Sequence, residues 1–373
     1  MPKRSDKELL QSLWQAGVAA VSGQASVCTA LQRLPPAVPD QIIAVGKAAA
    51  AMARAAVDHY GADIPTLVVT KYGHGTGLPD TATIIESAHP IPDQNSIRAG
   101  EALAHTVDDM RDGSHLLMLV SGGASSLAEL PINGLTLVDL AAENSRMLSA
   151  GQDIHAMNRH RKTLSQIKGG KLLSRFAGAS VTVLAVSDVE GDALSVIGSG
   201  IGDAPENPGF VFEPNIVASN RVAREAAIRA GELVNLTIRT NAENLYDDVN
   251  TLAPLLATQL KSSPPGLHVF GGEPTVVLPD SPGRGGRNQA LALLLAREIH
   301  GTEGLAIIVA GTDGSDGPTD AAGAIIDGTT WIDSGEEALA RADSGTWLDQ
   351  RGALLRTGPT GTNVMDLMIA LRT

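Results

Sequence analysis

Apolar and polar positions along the chain separate short buried strands from longer amphipathic helices. Over the opening 30 residues Leu9, Leu10, Leu13, Trp14 and Val18 recur at helical spacing, which predicts one helix. Pro35, Pro36 and Pro39 break it. Residues 42–45, Ile-Ile-Ala-Val, form a continuous apolar run of strand length, followed by Gly46-Lys47 and an Ala-rich helix to about His59. Similar runs predict strands over 66–70, 83–86, 116–120 and 181–186. Helical patterns fall between several of them, over 94–107, 137–150 and 154–176, the last with a break at Gly169-Gly170. Continuous apolar strands alternating with helices indicate a mostly parallel sheet covered on both faces. Ligands of such sheets sit at the carboxyl ends of the strands.

A second set of elements begins near residue 245, with a helix over 247–259, strands over 267–270 and 275–278, and a helix over 288–299. A strand over 305–310 and a hairpin arm over 324–326 complete it. At roughly 150 residues per domain, 373 residues suggest two or three units. The pattern places a boundary near 240–247, giving domains 1–243 and 244–373, with the first helix (1–35) free to pack on the other domain. No apolar run reaches the roughly 18 residues of a membrane span, the run over 290–296 being far too short. The charged N-terminus carries no apolar signal-peptide core, so a cytoplasmic protein is expected. A single cysteine, Cys28, excludes an intramolecular disulfide framework and a Cys-based zinc site.

Composition narrows the function. Hydrophobic residues make up 43% of the chain, enough to build real interiors. Twenty-eight basic against 41 acidic residues leave a net charge of −13, a poor balance for nucleic acid or an anionic membrane, and neither is an expected partner. Aromatics at 3% leave little material for stacking bases. Glycine, 40 residues, is about 11% against a usual ~7%, and much of it follows strands.

Those post-strand segments are polar as well as glycine-rich: Gly46-Lys47, Ser121-Gly122-Gly123-Ala124-Ser125-Ser126, and Ser187-Asp188-Val189-Glu190-Gly191-Asp192. In the second half come Gly271-Gly272-Glu273, Gly283-Arg284-Gly285-Gly286-Arg287-Asn288-Gln289 and Gly311-Thr312-Asp313-Gly314-Ser315-Asp316-Gly317. Any one is read as a turn; six of them suit backbone N–H cradles for phosphate. Gly46-Lys47-Ala48 is not a Walker A loop, and no strand-led G-x-G-x-x-G or G-x-S-x-G is present. Between 159 and 175 stand six cationic side chains, one histidine and no acid. That stretch is either a solvated face paired to acids elsewhere or a clamp on a polyanion, with Lys168-Gly169-Gly170 as its loop-like piece. Arg287, opening a helix, suits a bidentate grip on carboxylate or phosphate. Asp188, Glu190 and Asp192, and Asp313, Asp316 and Asp320, are spaced as Mg²⁺ ligands or as ordinary turn residues. His89, before Pro90, is read as a turn residue. Taken together these parts suit Mg²⁺-assisted phosphoryl transfer.

The same segments carry a resemblance. Gly46-Lys47-Ala48, His89-Pro90-Ile91-Pro92-Asp93, Ser121-Gly122-Gly123, Lys168-Gly169-Gly170 and Ser187–Asp192 occur in the order found in the class II glycerate kinases, the glycerate 2-kinase family with a C-terminal MOFRL domain. Gly271-Gly272-Glu273, Gly283–Gln289, the 311–323 segment and Gly358-Pro359-Thr360-Gly361-Thr362-Asn363 continue the match. It implies an α/β protein of two domains: an N-terminal Rossmann-like, mostly parallel sheet with helices on both faces, and a C-terminal α/β MOFRL domain, with an active site in the interdomain cleft. It implies ATP-dependent phosphorylation of the 2-hydroxyl of D-glycerate, with Mg²⁺. Lys47, Arg287 and Asp313 fall on the family's catalytic positions. By the same analogy Ser121, Gly122, Gly123, Ser125, Lys168 and Gly169 are expected near phosphates, Asn288, Thr312 and Asp316 near substrate, and Asp188 and Asp192 near metal. Two departures stand out: Ala290 where the family has Glu, and a phosphate loop without its third glycine. A hydroxypyruvate reductase, a label some relatives carry, and a non-catalytic sugar-acid or nucleotide-binding protein remain alternative readings. A homodimer is left open.

Overall fold

The computed structural model describes residues 5–33, 37–149 and 154–373. The expected breaks at Pro35 and Pro36, and residue 150 at the end of one expected helix, lie outside them. In chain order the elements begin with α1 (Asp6–Ala20), α2 (Gly23–Arg33), β1 (Gln41–Val45), α3 (Ala49–Tyr60), β2 (Thr66–Lys71), β3 (Thr83–Ser87), α4 (Gln94–Asp108) and β4 (His115–Val120). Then come α5 (Ala124–Leu127), α6 (Leu137–Ser149), α7 (Ile154–Thr163), β5 (Ser180–Val186), β6 (Val211–Ala218), α8 (Asn220–Glu232), β7 (Ile238–Leu245) and α9 (Val249–Ser262). The chain ends with β8 (Gly266–Gly272), α10 (Arg287–Glu298), β9 (Leu305–Gly311), β10 (Gly323–Asp327), α11 (Gly335–Ala340), α12 (Ser344–Gln350), β11 (Leu354–Leu355) and β12 (Asp366–Arg372).

These elements form two compact units, residues 22–217 and residues 1–21 with 218–373. The second unit therefore takes in α1 at one end and α8 and β7 at the other, upstream of the boundary near 243 that the pattern of elements suggests. Packing decides this: α8 lies on β7 and β8, and α1 lies on α8, β9 and β12.

The 22–217 unit holds a six-stranded sheet in the order β3-β2-β1-β4-β5-β6. The pairings β3–β2, β2–β1, β1–β4 and β4–β5 are parallel. Ile43, Val45, Leu116, Met118, Val181 and Val183 face a core shared with Ala99, Leu103 and Val107 of α4. The alternate residues Ile42, Ala44, Val68, Leu117 and Leu119 are buried too, where α3 lies on β1, β2 and β4. Burial on both faces is what the unbroken apolar runs demand. Sequential strands run outward from β1 in one direction and from β4 in the other. The strand order thus reverses between β1 and β4, the place where ligands of doubly wound sheets bind.

The other unit carries a mixed sheet, β11-β10-β9-β12-β8-β7. β12 is central and runs antiparallel to both β8 and β9, so that Asp366 pairs across from Gly272 on one side and Gly311 on the other. One face packs on α9 and α10 through Leu256, Leu260, Leu291 and Leu295; α8 and α1 lie on strands of the same sheet.

Four expectations change. The opening helix is two, because Ser22 starts a new one: its hydroxyl accepts from Ala25 N–H at 3.2 Å. The helix over 154–176 ends at Thr163, and Ser165 bridges to Pro131. The strand over 275–278 is absent: Thr275 makes a single bridge to Asp248, while Val277 is 84% exposed with no neighbouring strand to pair it. Finally β12, α8 and the β6 and β7 strands appear where the pattern predicts nothing. Met368 at the centre of β12 is fully buried. Met368→Ala is expected to destabilise this unit by about 2–5 kcal/mol in denaturant titration; a loss under about 1 kcal/mol would contradict the central placement of β12.

Candidate active site

In the 22–217 unit the site begins where β1 and β4 end. Val45 pairs with Val120, and both strands run into tight turns. The turns are bonded to each other: Ser121 N–H donates to Val45 C=O at 3.0 Å, Lys47 N–H to Gly122 C=O at 2.9 Å, and Ala48 N–H to Ser121 Oγ at 3.1 Å. This fixes Lys47 beside the Ser121-Gly122-Gly123 loop. Gly123 adopts φ +84° before α5, and a Cβ there would stand 3.0 Å from the Lys47 side chain and from the His89 ring. A Cβ on Gly122 would collide with the Asp188 carboxylate, which follows β5. Lys47, Ser121, Gly122, Gly123, His89 and Asp188 are thus brought together at the sheet's reversal point.

His89, which the sequence presents as a turn residue, is part of this cluster. Burial, then the charges of Lys47 and Lys71, lower its pKa to about 4, so the ring is neutral at pH 7. Ser125 Oγ lies 2.8 Å from Ser199 Oγ.

Lys168 and Gly169 differ from the expectation of an open phosphate cradle. Lys168 is 3% exposed and ion-paired with the equally buried Glu129. Burial pulls the lysine pKa down while Glu129 opposes the shift. Gly169 N–H is spent on Ser199 C=O at 2.9 Å, and Gly170 N–H on Gly200 C=O at 3.0 Å. The basic stretch is likewise dispersed: Arg175 pairs with Asp108, His160 with Glu143, and Lys162 donates to Ser195 C=O. It is not one clamp.

In the other unit the site is built around the start of β12. Asp366 is 2% exposed, and its carboxylate accepts from Arg287 Nε at 2.7 Å and from Asn288 Nδ2 at 2.9 Å. Arg287 Nη1 donates to Glu273 at 2.6 Å. Burial disfavours the guanidinium charge, but Asp366 and then Glu273 outweigh it and hold the arginine firmly charged. Asp313 is half-buried and receives Ser315 N–H at 2.9 Å. Its backbone C=O accepts from Thr360 N–H at 3.1 Å, which ties the 311–317 and 358–363 segments together.

Asn288, Thr312 and Asp316, expected to touch substrate, turn inward instead. Thr312 Oγ1 donates to Met365 C=O at 2.6 Å and accepts from Val364 N–H at 2.8 Å. Asp316 caps α10, taking Asn288 N–H at 3.1 Å and Gln289 N–H at 2.8 Å. All three are buried; the Thr312 hydroxyl and the Asp316 carboxylate are taken up by these bonds, and the Asn288 Nδ2 by Asp366, while the Asn288 Oδ1 has no hydrogen-bond partner. Glu129, Glu273 and Asp366 are the partners that sequence reasoning missed. Glu273 stood in a marked loop; Asp366 had no motif to announce it.

Among the described residues, no three His, Cys, Asp or Glu side chains group as a metal cage. Asp188 and Asp192 therefore form no all-protein site. Asp192 sits in a left-handed turn at φ 53°. Asp188 alone, pressed on the glycine loop, fits a Mg²⁺ that keeps waters and phosphate oxygens as its other ligands. No helix among the described residues is long and apolar enough to cross a membrane.

A family model described as a domain of unknown function, DUF4147, matches residues 9–207, and the MOFRL family model matches residues 266–366. A D-glycerate 2-kinase from Thermotoga maritima is 39% identical over 88% of this chain and 90% of its own length. The chain belongs to the glycerate 2-kinase (MOFRL) family. A crystal structure titled as glycerate kinase from Thermotoga maritima superposes on this family member with TM-score 0.90, at 33% identity and covering 98% of this chain and 99% of that one. A relative from Agrobacterium vitis, 33% identical over 98% of this chain and 94% of its own, carries hydroxypyruvate reductase in its name. The MOFRL segment ends at residue 366, the carboxylate that holds Arg287.

Burial raises the Asp316 carboxyl to about 7; the backbone bonds from Gln289 and Asn288 oppose this, and Asp366 adds to it against Arg287. Since its ordinary value is 3.8, the folded chain binds a proton there that the unfolded chain releases. That stability is complete below the unfolded value and is lost as pH rises through about 7. The stability of the natural chain relative to Asp316→Asn is therefore expected to fall between about pH 4 and pH 7, read by urea denaturation. A difference that stays flat over that range would contradict the assignment.

Proposed function

We propose that the protein transfers the γ-phosphoryl group of ATP to the 2-hydroxyl of D-glycerate, giving 2-phosphoglycerate. The observation that carries this reading is the pairing of Lys47 with the Ser121-Gly122-Gly123 loop at the point where the parallel sheet reverses. The turn stands at a strand end, where a parallel sheet of this order receives its ligands, and its glycines let the Lys47 cation come against the loop. Phosphoryl transfer asks for positioning and charge neutralisation more than for covalent catalysis.

Each residue then has a role. Lys47 neutralises charge on the transferring group, and the neutral His89 ring, on the same side of Gly123, does not compete for the same anion. Ser121, Gly122, Gly123 and Ser125 line the phosphate loop. Mg²⁺ carried by the nucleotide would be held by Asp188 and supplies further charge neutralisation. Arg287, aimed by Asp366 and Glu273, stabilises charge that develops on the phosphoryl oxygens. Asp313, with one carboxylate oxygen on Ser315, orients the attacking hydroxyl or takes its proton.

Purified protein with ATP, Mg²⁺ and D-glycerate is expected to form 2-phosphoglycerate, distinguished from the 3-phospho isomer by phosphorus NMR. Lys47→Ala and Arg287→Ala should each lower turnover by about 10²–10³-fold. Unchanged turnover in either variant overturns its assignment, and NADH oxidation with hydroxypyruvate in the absence of ATP would replace the kinase reading with a reductase.

A further inference from the structure

Next to the strand that carries Asp366, the 218–373 unit holds a set of polar groups to which the phosphoryl-transfer reading gives no part. α8 opens with Asn220, fully buried, and one turn later presents Arg224, 5% exposed. Asn220 Nδ2 donates to Val364 C=O at 3.0 Å and to Asp366 C=O at 3.0 Å. Its Oδ1 accepts from Arg224 Nε at 2.9 Å. Arg224 donates in turn to Asn241 Oδ1 and, at 2.7 Å, to Glu243 Oε2. The other Glu243 oxygen takes the Tyr246 hydroxyl at 2.8 Å. Gly271 of β8 makes room for this set, since a Cβ there would collide with the Asn220 amide.

The chemistry of these groups permits one arrangement. A guanidinium only donates, so Arg224 meets the oxygen end of the Asn220 amide. The NH₂ end is thereby turned to the two carbonyls, where both of its hydrogens are used. A reversed amide would set its oxygen against two carbonyl oxygens and its hydrogens against the guanidinium, and burial makes such losses costly. The place of Arg224, held by Glu243, is thus passed to the backbone on either side of Met365. That backbone needs holding. Met365 has φ +67°, a conformation that residues other than glycine rarely adopt. Thr312 Oγ1 secures the Met365 carbonyl, and Asn220 secures the carbonyls before and after it. Asp366 follows directly, with its carboxylate on Arg287 Nε at 2.7 Å. Neither Asn220 nor Arg224 is hydrogen-bonded to Arg287 among the described residues.

We propose that Asn220, oriented by Arg224, is a positioning residue for phosphoryl transfer: it sets the backbone from which Asp366 aims the Arg287 guanidinium. This rests on the kinase reading above and extends it to two residues outside the marked loops. An arginine that stabilises developing charge must be in place before the charge appears, so a small error in its direction is felt in the rate. A role confined to stability would fasten α8 to the sheet, and in protein that remains folded its loss would leave turnover unchanged.

The test measures kcat and the KM values for ATP and D-glycerate in the full chain, below the onset of each variant's thermal melt. The variants are Asn220→Ala, Arg224→Lys and Arg287→Ala, with the two doubles that join Asn220→Ala or Arg224→Lys to Arg287→Ala. Asn220→Ala is expected to lower kcat by about 10–10²-fold with both KM values nearly unchanged, the signature of an interaction made in the transition state. Arg224→Lys keeps a cation beside Glu243 but gives up the planar fork, so its kcat should fall less, by several-fold. Once Arg287 is gone, either change should cost almost nothing further in kcat while still lowering the melting temperature. Folded Asn220→Ala with natural kcat, or losses that add in full to that of Arg287→Ala, overturns the positioning role and leaves the kinase reading standing. Should Asn220→Ala fail to fold, Arg224→Lys and its double decide the same question by the same two outcomes. No turnover of D-glycerate by the natural protein, or unchanged turnover in Arg287→Ala, overturns the kinase reading and the positioning role together.

Discussion

One buried carboxylate organises the 218–373 part of the molecule. Asp366 opens the central strand β12 and pairs across from the last residues of β8 and β9. Its two oxygens take Arg287 and Asn288, the first residues of α10, and its backbone C=O takes Asn220 Nδ2 from α8 at 3.0 Å. Burying a lone carboxylate is costly, and this one is kept by a cation and an amide donor that satisfy it. The consequence is geometric: an arginine that would otherwise sample many rotamers at a helix start is held in one. Asp316 completes the arrangement by capping the same helix through Asn288 and Gln289.

The 22–217 part solves a different problem with the backbone. Two adjacent parallel strands end together, and the turns that follow bond to each other before either begins its helix. Lys47 is placed by that mutual bonding, and Gly122 and Gly123 exist where a side chain would strike Asp188, Lys47 or His89. The glycine surplus is thereby partly explained as room for charged neighbours. Total charge is a weaker guide: a net of −13 coexists with local cations, most of which pair with an acid or a carbonyl.

The parallel sheet was legible because its strands are buried on both faces and read as unbroken apolar runs. β12 was not. Leu367, Met368, Ala370 and Leu371 favour helix as readily as strand, and seven residues are too few for periodicity to decide. The 275–278 segment shows the converse, for Val277 and Leu278 suit a strand but have no neighbour to pair with. In the site, glycine loops and Lys47, Arg287 and Asp313 could be found as motifs. Lys168, Asn288, Thr312 and Asp316 lie in or beside the same motifs yet serve the interior, since a sequence shows which residues are polar but not which of them have found a partner. Glu129 and Asp366 were invisible for the complementary reason: each lies far along the chain from the cation it holds.

The central claim is that Arg287 acts as a unit with the carboxylate that aims it. A double-mutant cycle in ATP-dependent D-glycerate turnover tests this directly, with Arg287→Ala, the near-isosteric Asp366→Asn, and both together. If Asp366 works through Arg287, Asp366→Asn lowers kcat in the natural background and costs almost nothing further once Arg287 is gone. Fully additive losses would contradict the account, because they would mean that the two side chains contribute independently.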